Sequence, residues 1–101
     1  MFPGNEDRME LTRQYETTSL PLATFIRYCE GDESHIATTR GPHGCFFTFA
    51  DFEKCRELHK LYFGQPVAIG DVRALLDVDR AIRGTIRLCD QSGNGVWKLG
   101  Q

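Results

Sequence analysis

A chain of 101 residues holds one hydrophobic core and not two, and its 41% hydrophobic and 26% charged residues are the balance of a folded domain, not of a disordered one. The net charge of −2 excludes a protein that coats nucleic acid through a global positive field, because neutralised phosphates supply most of that affinity. Any nucleic-acid role needs a local basic patch.

Residues 1–10 are polar and charged, carry Pro3 and Gly4, and read as a mobile lead; they lack the basic start and apolar core of a secretory signal. Residues 11–17 alternate loosely, with Leu11, Arg13, Tyr15 and Thr17 on one side, a weak strand signal. Ser19 before Pro21 opens a helix in which Leu22, Phe25, Ile26 and Cys29 share one face, and Gly31 stops it. His35 to Arg40, the turn Gly41-Pro42-His43-Gly44, and Cys45 to Ala50 read as a β-hairpin. Cys45, Phe47 and Phe49 fall on one face of it, Phe46, Thr48 and Ala50 on the other.

Asp51 caps a second helix with Phe52, Cys55, Leu58, His59 and Tyr62 on one face; Gly64 and Pro66 end it. Asp71 opens the longest helix, to about Cys89, with a broad apolar stripe of Val72, Leu75, Leu76, Val78, Ile82, Ile86 and Cys89. Gly84 inside it suggests a close approach by another backbone. Residues 91–101 read as a tail: a Gly-rich spacer, then the apolar hook Val96-Trp97-Lys98-Leu99, which either folds back as an added strand or docks into a partner. The expected fold is therefore α+β in two layers: a β-hairpin, with residues 11–17 as a candidate third strand, packed against three helices within a single domain over 11–90.

Three runs carry a resemblance: Thr17-Thr18-Ser19-Leu20-Pro21-Leu22-Ala23-Thr24-Phe25-Ile26, Cys45-Phe46-Phe47-Thr48-Phe49-Ala50-Asp51, and Leu61-Tyr62-Phe63-Gly64. In order and spacing they resemble a small domain-of-unknown-function family of bacteria, phages and mobile elements, over about residues 15–88. Pro21, Thr24 and Phe63 depart from that family's pattern, and residues 96–99 lie outside it. The resemblance implies architecture and no catalytic residue.

Several constellations bear on function. Cys55 and His59 stand at i, i+4, a spacing that can offer two ligands to zinc, with His43 and Cys45 as further donors; the absence of any Cys-x-x-Cys pair favours core and boundary roles. Cys45 with His43 or His35 is the one local thiol–imidazole pairing, but an apolar strand is the wrong setting for a thiolate. All four cysteines, Cys29 included, sit in apolar segments, as reduced buried thiols of a cytoplasmic protein do. No apolar run is long enough for a membrane span, and no phosphate-binding loop or cofactor motif is present. Arg80, Arg83 and Arg87 form a basic ridge on the last helix that could grip phosphates or an acidic partner, though Asp77 and Asp79 dilute it. Phe46, on the strand face opposite Phe47, could stack a base or meet a dimer mate. The expectation is thus a non-enzymatic protein-interaction or assembly module, as homodimer or accessory subunit, touching partners through Arg80, Arg83, Arg87, Phe46 and Trp97; the alternative is a nucleic-acid-binding accessory factor using the arginine ridge.

Overall fold

The computed structural model describes residues 13–100, so the lead at 1–10 and the first residues of the expected 11–17 strand lie outside it. The chain runs β1 (Tyr15–Thr17), α1 (Leu20–Glu30), a 3₁₀ turn (Asp32–Ser34), β2 (His35–Gly41), β3 (Gly44–Phe49), α2 (Phe52–Gly64), α3 (Val72–Gln91) and β4 (Val96–Lys98). The fold is α+β, with four antiparallel strands in the order β1-β3-β2-β4 and three helices.

Local chemistry fixes each helix. Ser19 Oγ accepts from Leu22 N at 3.2 Å, and Pro21 sits in the first turn, where a missing N–H costs nothing. Gly31, at φ +98°, closes α1 by donating its N–H to Arg27 O. Asp51 adopts the left-handed region at φ +56°, which aspartate tolerates, and its carboxylate accepts from Lys54 N at 3.2 Å. The strand thereby turns into α2 with no intervening loop. Asp71 Oδ1 accepts from Ala74 N at 3.0 Å to start α3.

Cross-strand register sets the core face. Tyr15 opposes Phe49, His35 opposes Phe49, and Thr38 lies between Phe47 and Trp97. Against this face pack Leu22 and Ile26 of α1, Cys55 of α2, and Ile82 and Cys89 of α3, all essentially inaccessible to water. Leu22, Ile26 and Ile82 each contribute about 1.5–3 kcal/mol by leaving water. α1 lies between α2 and α3, and residues Leu22 to Arg27 are buried in succession. That is why Thr24 and Arg27, on what the sequence pattern makes a polar side, are interior.

One open alternative of the sequence reading is taken up, and two details depart from it. The sheet has four strands because the tail folds back: Trp97 opposes Thr38, and its ring centroid lies 5.0 Å from that of His35. Cys29 is exposed, on the buried face but in the last turn of α1, past the buried run Leu22 to Arg27, while Cys45, Cys55 and Cys89 are buried; all four thiols are free. Gly84 meets no other backbone; a Cβ there would find only the Arg87 side chain, at 3.7 Å.

Candidate interaction site

Two regions hold the distinctive chemistry, one closed and one open. The closed one begins with an irregularity in β2: the register against β3 shifts between His35 and Ala37, leaving Ile36 as a bulge. In a regular strand, residues 35 and 38 would face opposite ways. The bulge turns both inward, and His35 Nε2 comes within 2.9 Å of Thr38 Oγ1.

The direction of every hydrogen bond in this cluster follows from its ends. A guanidinium can only donate, so Arg27 Nη1, 2.9 Å from His35 Nδ1, fixes that nitrogen as an acceptor. The imidazole is therefore neutral with its proton on Nε2, shared between Thr38 Oγ1 and Ala37 O at 3.1 Å. Thr38 then donates to Thr85 Oγ1 at 2.9 Å, and Thr85 donates to Ile82 O at 2.7 Å. Asp32 holds Arg27 Nε from outside at 3.2 Å. Among the described residues no buried side-chain nitrogen or oxygen lacks a partner. Burial, with the Arg27 charge acting in the same direction, lowers the His35 pKa to about 4. This relay ties α1, β2 and α3 together; His35 and Thr38 are inaccessible to solvent, and the cluster meets water only at its Arg27–Asp32 end.

The open region is a groove of about 410 Å³ between α1, the 65–70 linker and the first half of α3. Leu20, Pro21, Phe25, Tyr62, Pro66, Val67, Ile69, Leu75 and Leu76 line it, with Thr24, Asp79 and Arg83 at its polar end. Asp79 Oδ2 accepts from Arg83 Nε at 2.9 Å. Leu76 is 56% exposed, and Val72, one turn earlier on the same side, is 60% exposed. Apolar surface thus extends from the groove onto the outside of α3. A second recess, on the sheet face opposite the helices, is lined by a mixed set including Glu16, Ile36, Thr39, Thr48, Lys98 and Leu99.

The other candidates from the sequence are placed as follows. Arg80, Arg83 and Arg87 are all exposed on α3; Asp77 pairs with Arg80 at 3.4 Å and Asp79 with Arg83, while Arg87 has no ion pair among the described residues. Phe46 is half-buried, its ring laid where a Cβ on Gly41 would meet it at 2.5 Å, so glycine at the turn makes room for it. Trp97 is consumed by its own sheet. The structure therefore brings neither Phe46 nor Trp97 to the arginine ridge.

Cys55 donates to Ala50 O at 3.4 Å, and burial, helped by Glu30 and Asp51, pushes its thiol up to about 12. His59 Nδ1 is 2.6 Å from the Tyr15 hydroxyl. Among the described residues no group of three or more His, Cys, Asp or Glu side chains could hold a metal ion. Both ring nitrogens of His35 are engaged in the relay, leaving no imidazole lone pair for Cys45. Among the described residues no helix is long and apolar enough to cross a membrane. Comparison with protein-family models, with curated proteins and with solved structures found no match.

Proposed function

We propose that this chain is a non-enzymatic interaction module that receives an apolar segment of a protein partner in the groove between α1, the linker and α3. The observation that carries the reading is the inversion along α3: Ile82, Thr85 and Cys89 are buried, whereas Val72 and Leu76, in the same apolar stripe, stand in solvent beside the groove. Apolar patches of this kind mark docking surfaces. A recess of about 410 Å³ takes about two or three large side chains, given that a cavity of roughly 150 Å³ holds a benzene ring. Val72 lies beyond the recess, and a small ligand inside it would leave that apolar surface uncovered; a partner segment would not.

An accessory role in a cytoplasmic setting, of the bacterial or phage kind that the three sequence runs resemble, is part of this proposal; the four free thiols support the setting. The alternative of a nucleic-acid factor draws on Arg80, Arg83 and Arg87, but a phosphate backbone would leave the apolar surface of Val72 and Leu76 uncovered.

Selection of phage-displayed peptides on the protein tests the reading. The expected winners are rich in Leu, Ile and Phe, and lose binding to Leu76→Glu while keeping it to Lys98→Glu on the far sheet face. Leu76 is exposed, so Leu76→Glu should keep its stability within about 0.5 kcal/mol. An empty selection, or winners indifferent to Leu76→Glu, would overturn the groove as docking surface.

A further inference from the structure

We infer that the segment seated in this groove carries carboxylates beside its apolar anchors; the inference rests on the groove being the docking surface. Its starting point is the Asp79–Arg83 pair. Asp79 engages only the Nε edge of the guanidinium, at 2.9 Å, and the Thr24 hydroxyl, 3.5 Å from the other carboxylate oxygen, backs the aspartate from α1. The two terminal nitrogens of Arg83 have no acceptor among the described residues, and the side chain is 58% exposed. A guanidinium held by one edge presents a preformed fork to a planar anion at the other.

The surroundings extend the same bias. At about 100° per residue, Arg73, Arg80, Arg83 and Arg87 fall within an arc of about 80° on α3, and Leu76 lies inside that arc. The aspartates beside them are Asp77 and Asp79, each already paired. Four arginines against two aspartates leave a surplus of two positive charges on the outer side of α3, where Arg83 lines the groove itself, and Arg73 and Arg87 have no ion pair among the described residues. Asp90, further along, is taken by Arg40. Apolar wall and basic lip run side by side, so the complementary surface is an amphipathic helix with leucine-like anchors and a glutamate-rich flank. A phosphate backbone would answer the lip and leave the apolar wall unfilled.

Two synthetic peptides decide it, sharing leucines at i, i+3, i+4 and i+7 and differing only in whether glutamate or lysine fills the flanks. Binding is read by fluorescence anisotropy and by amide shifts in an NMR titration. The glutamate peptide should bind about threefold to tenfold tighter than the lysine peptide, the size expected of two partly exposed ion pairs. The advantage should shrink with added salt and disappear in Arg83→Glu, which cancels the surplus of two charges. Equal affinity for both peptides, with both lost in Leu76→Glu, would overturn the acidic preference and leave the groove reading standing. No binding by either peptide, or binding untouched by Leu76→Glu, would overturn both. Displacement of the glutamate peptide by a short oligothymidine would overturn the inference in favour of a phosphate-binding ridge.

Discussion

The His35 relay and the α1–α3 groove make opposite use of the same helices. Behind the sheet, polar atoms lie in the interior and every one is partnered, from Arg27 through His35 and Thr38 to Thr85 and the Ile82 carbonyl. On the outside of α3, apolar atoms lie in solvent and Val72 and Leu76 are left uncovered. A buried polar cluster that is fully satisfied fixes one arrangement of the elements it joins, because any shift strands a donor or acceptor. An exposed apolar surface costs free energy until something covers it. The closed region thus explains how a domain of this size holds α1 and α3 in place, and the open region is what that placement holds out.

The largest expected effect tests the closed region's packing. Phe47 is 2% exposed, opposes Thr38 and lies 6.1 Å, centroid to centroid, from His35. Phe47→Ala should cost about 3–5 kcal/mol in denaturant unfolding, through lost transfer energy and the cavity left behind. A loss below about 1 kcal/mol would show that the ring does not close the core.

Next in size is the relay's response to acid. The His35 pKa is about 4 in the folded protein against 6.5 ordinarily, so between those values the unfolded chain binds the proton and the folded one does not. The resulting stability is full above about pH 6.5, falls as pH drops, and is gone below about pH 4; the gap is worth about 3 kcal/mol. Protonation at Nδ1 would set a donor against the Arg27 donor and one cation against another. Subtracting the stability–pH curve of His35→Gln from that of the wild type isolates this slope from the carboxylates. A difference curve that stays flat from pH 7 to 4 would mean that His35 titrates freely and the interior is less closed than its hydrogen bonds indicate.

Much of the layout was legible in the sequence, and the gaps have physical causes. Caps at Ser19, Asp51 and Asp71 and the periodicity of apolar residues place all three helices, and the Gly-Pro-His-Gly turn places the hairpin. The relay was hidden because residues 35 and 38 share a face only through the Ile36 bulge, which no local pattern announces. Trp97 was visible as an apolar hook, but its choice of β2 as partner is a tertiary fact. The groove had a trace in the sequence: the stripe from Val72 to Cys89 is wider than one core face can bury, a surplus that signals a second neighbour. Which residues of that stripe are left over depends on where α1 sits, and helix-to-helix placement is not written in either helix alone.

The smallest expected effect concerns α3, the element both regions share. Gly84 lies between buried Thr85 and the exposed arginines, in the interior of a twenty-residue helix, and a Cβ there would touch only the flexible end of Arg87 at 3.7 Å. Nothing in the packing requires glycine. Gly84→Ala should therefore stabilise the fold by about 0.5–1 kcal/mol, by removing backbone freedom from the unfolded chain. Thermal and denaturant unfolding measure the gain, and the same variant probes whether the two regions are coupled. If the relay already fixes α3 as one rigid unit, a stiffer helix leaves affinity for the glutamate peptide unchanged. Weaker binding by the stabilised variant would show that α3 bends at Gly84 when the groove fills, so that the lip is shaped by its occupant and not held ready for it.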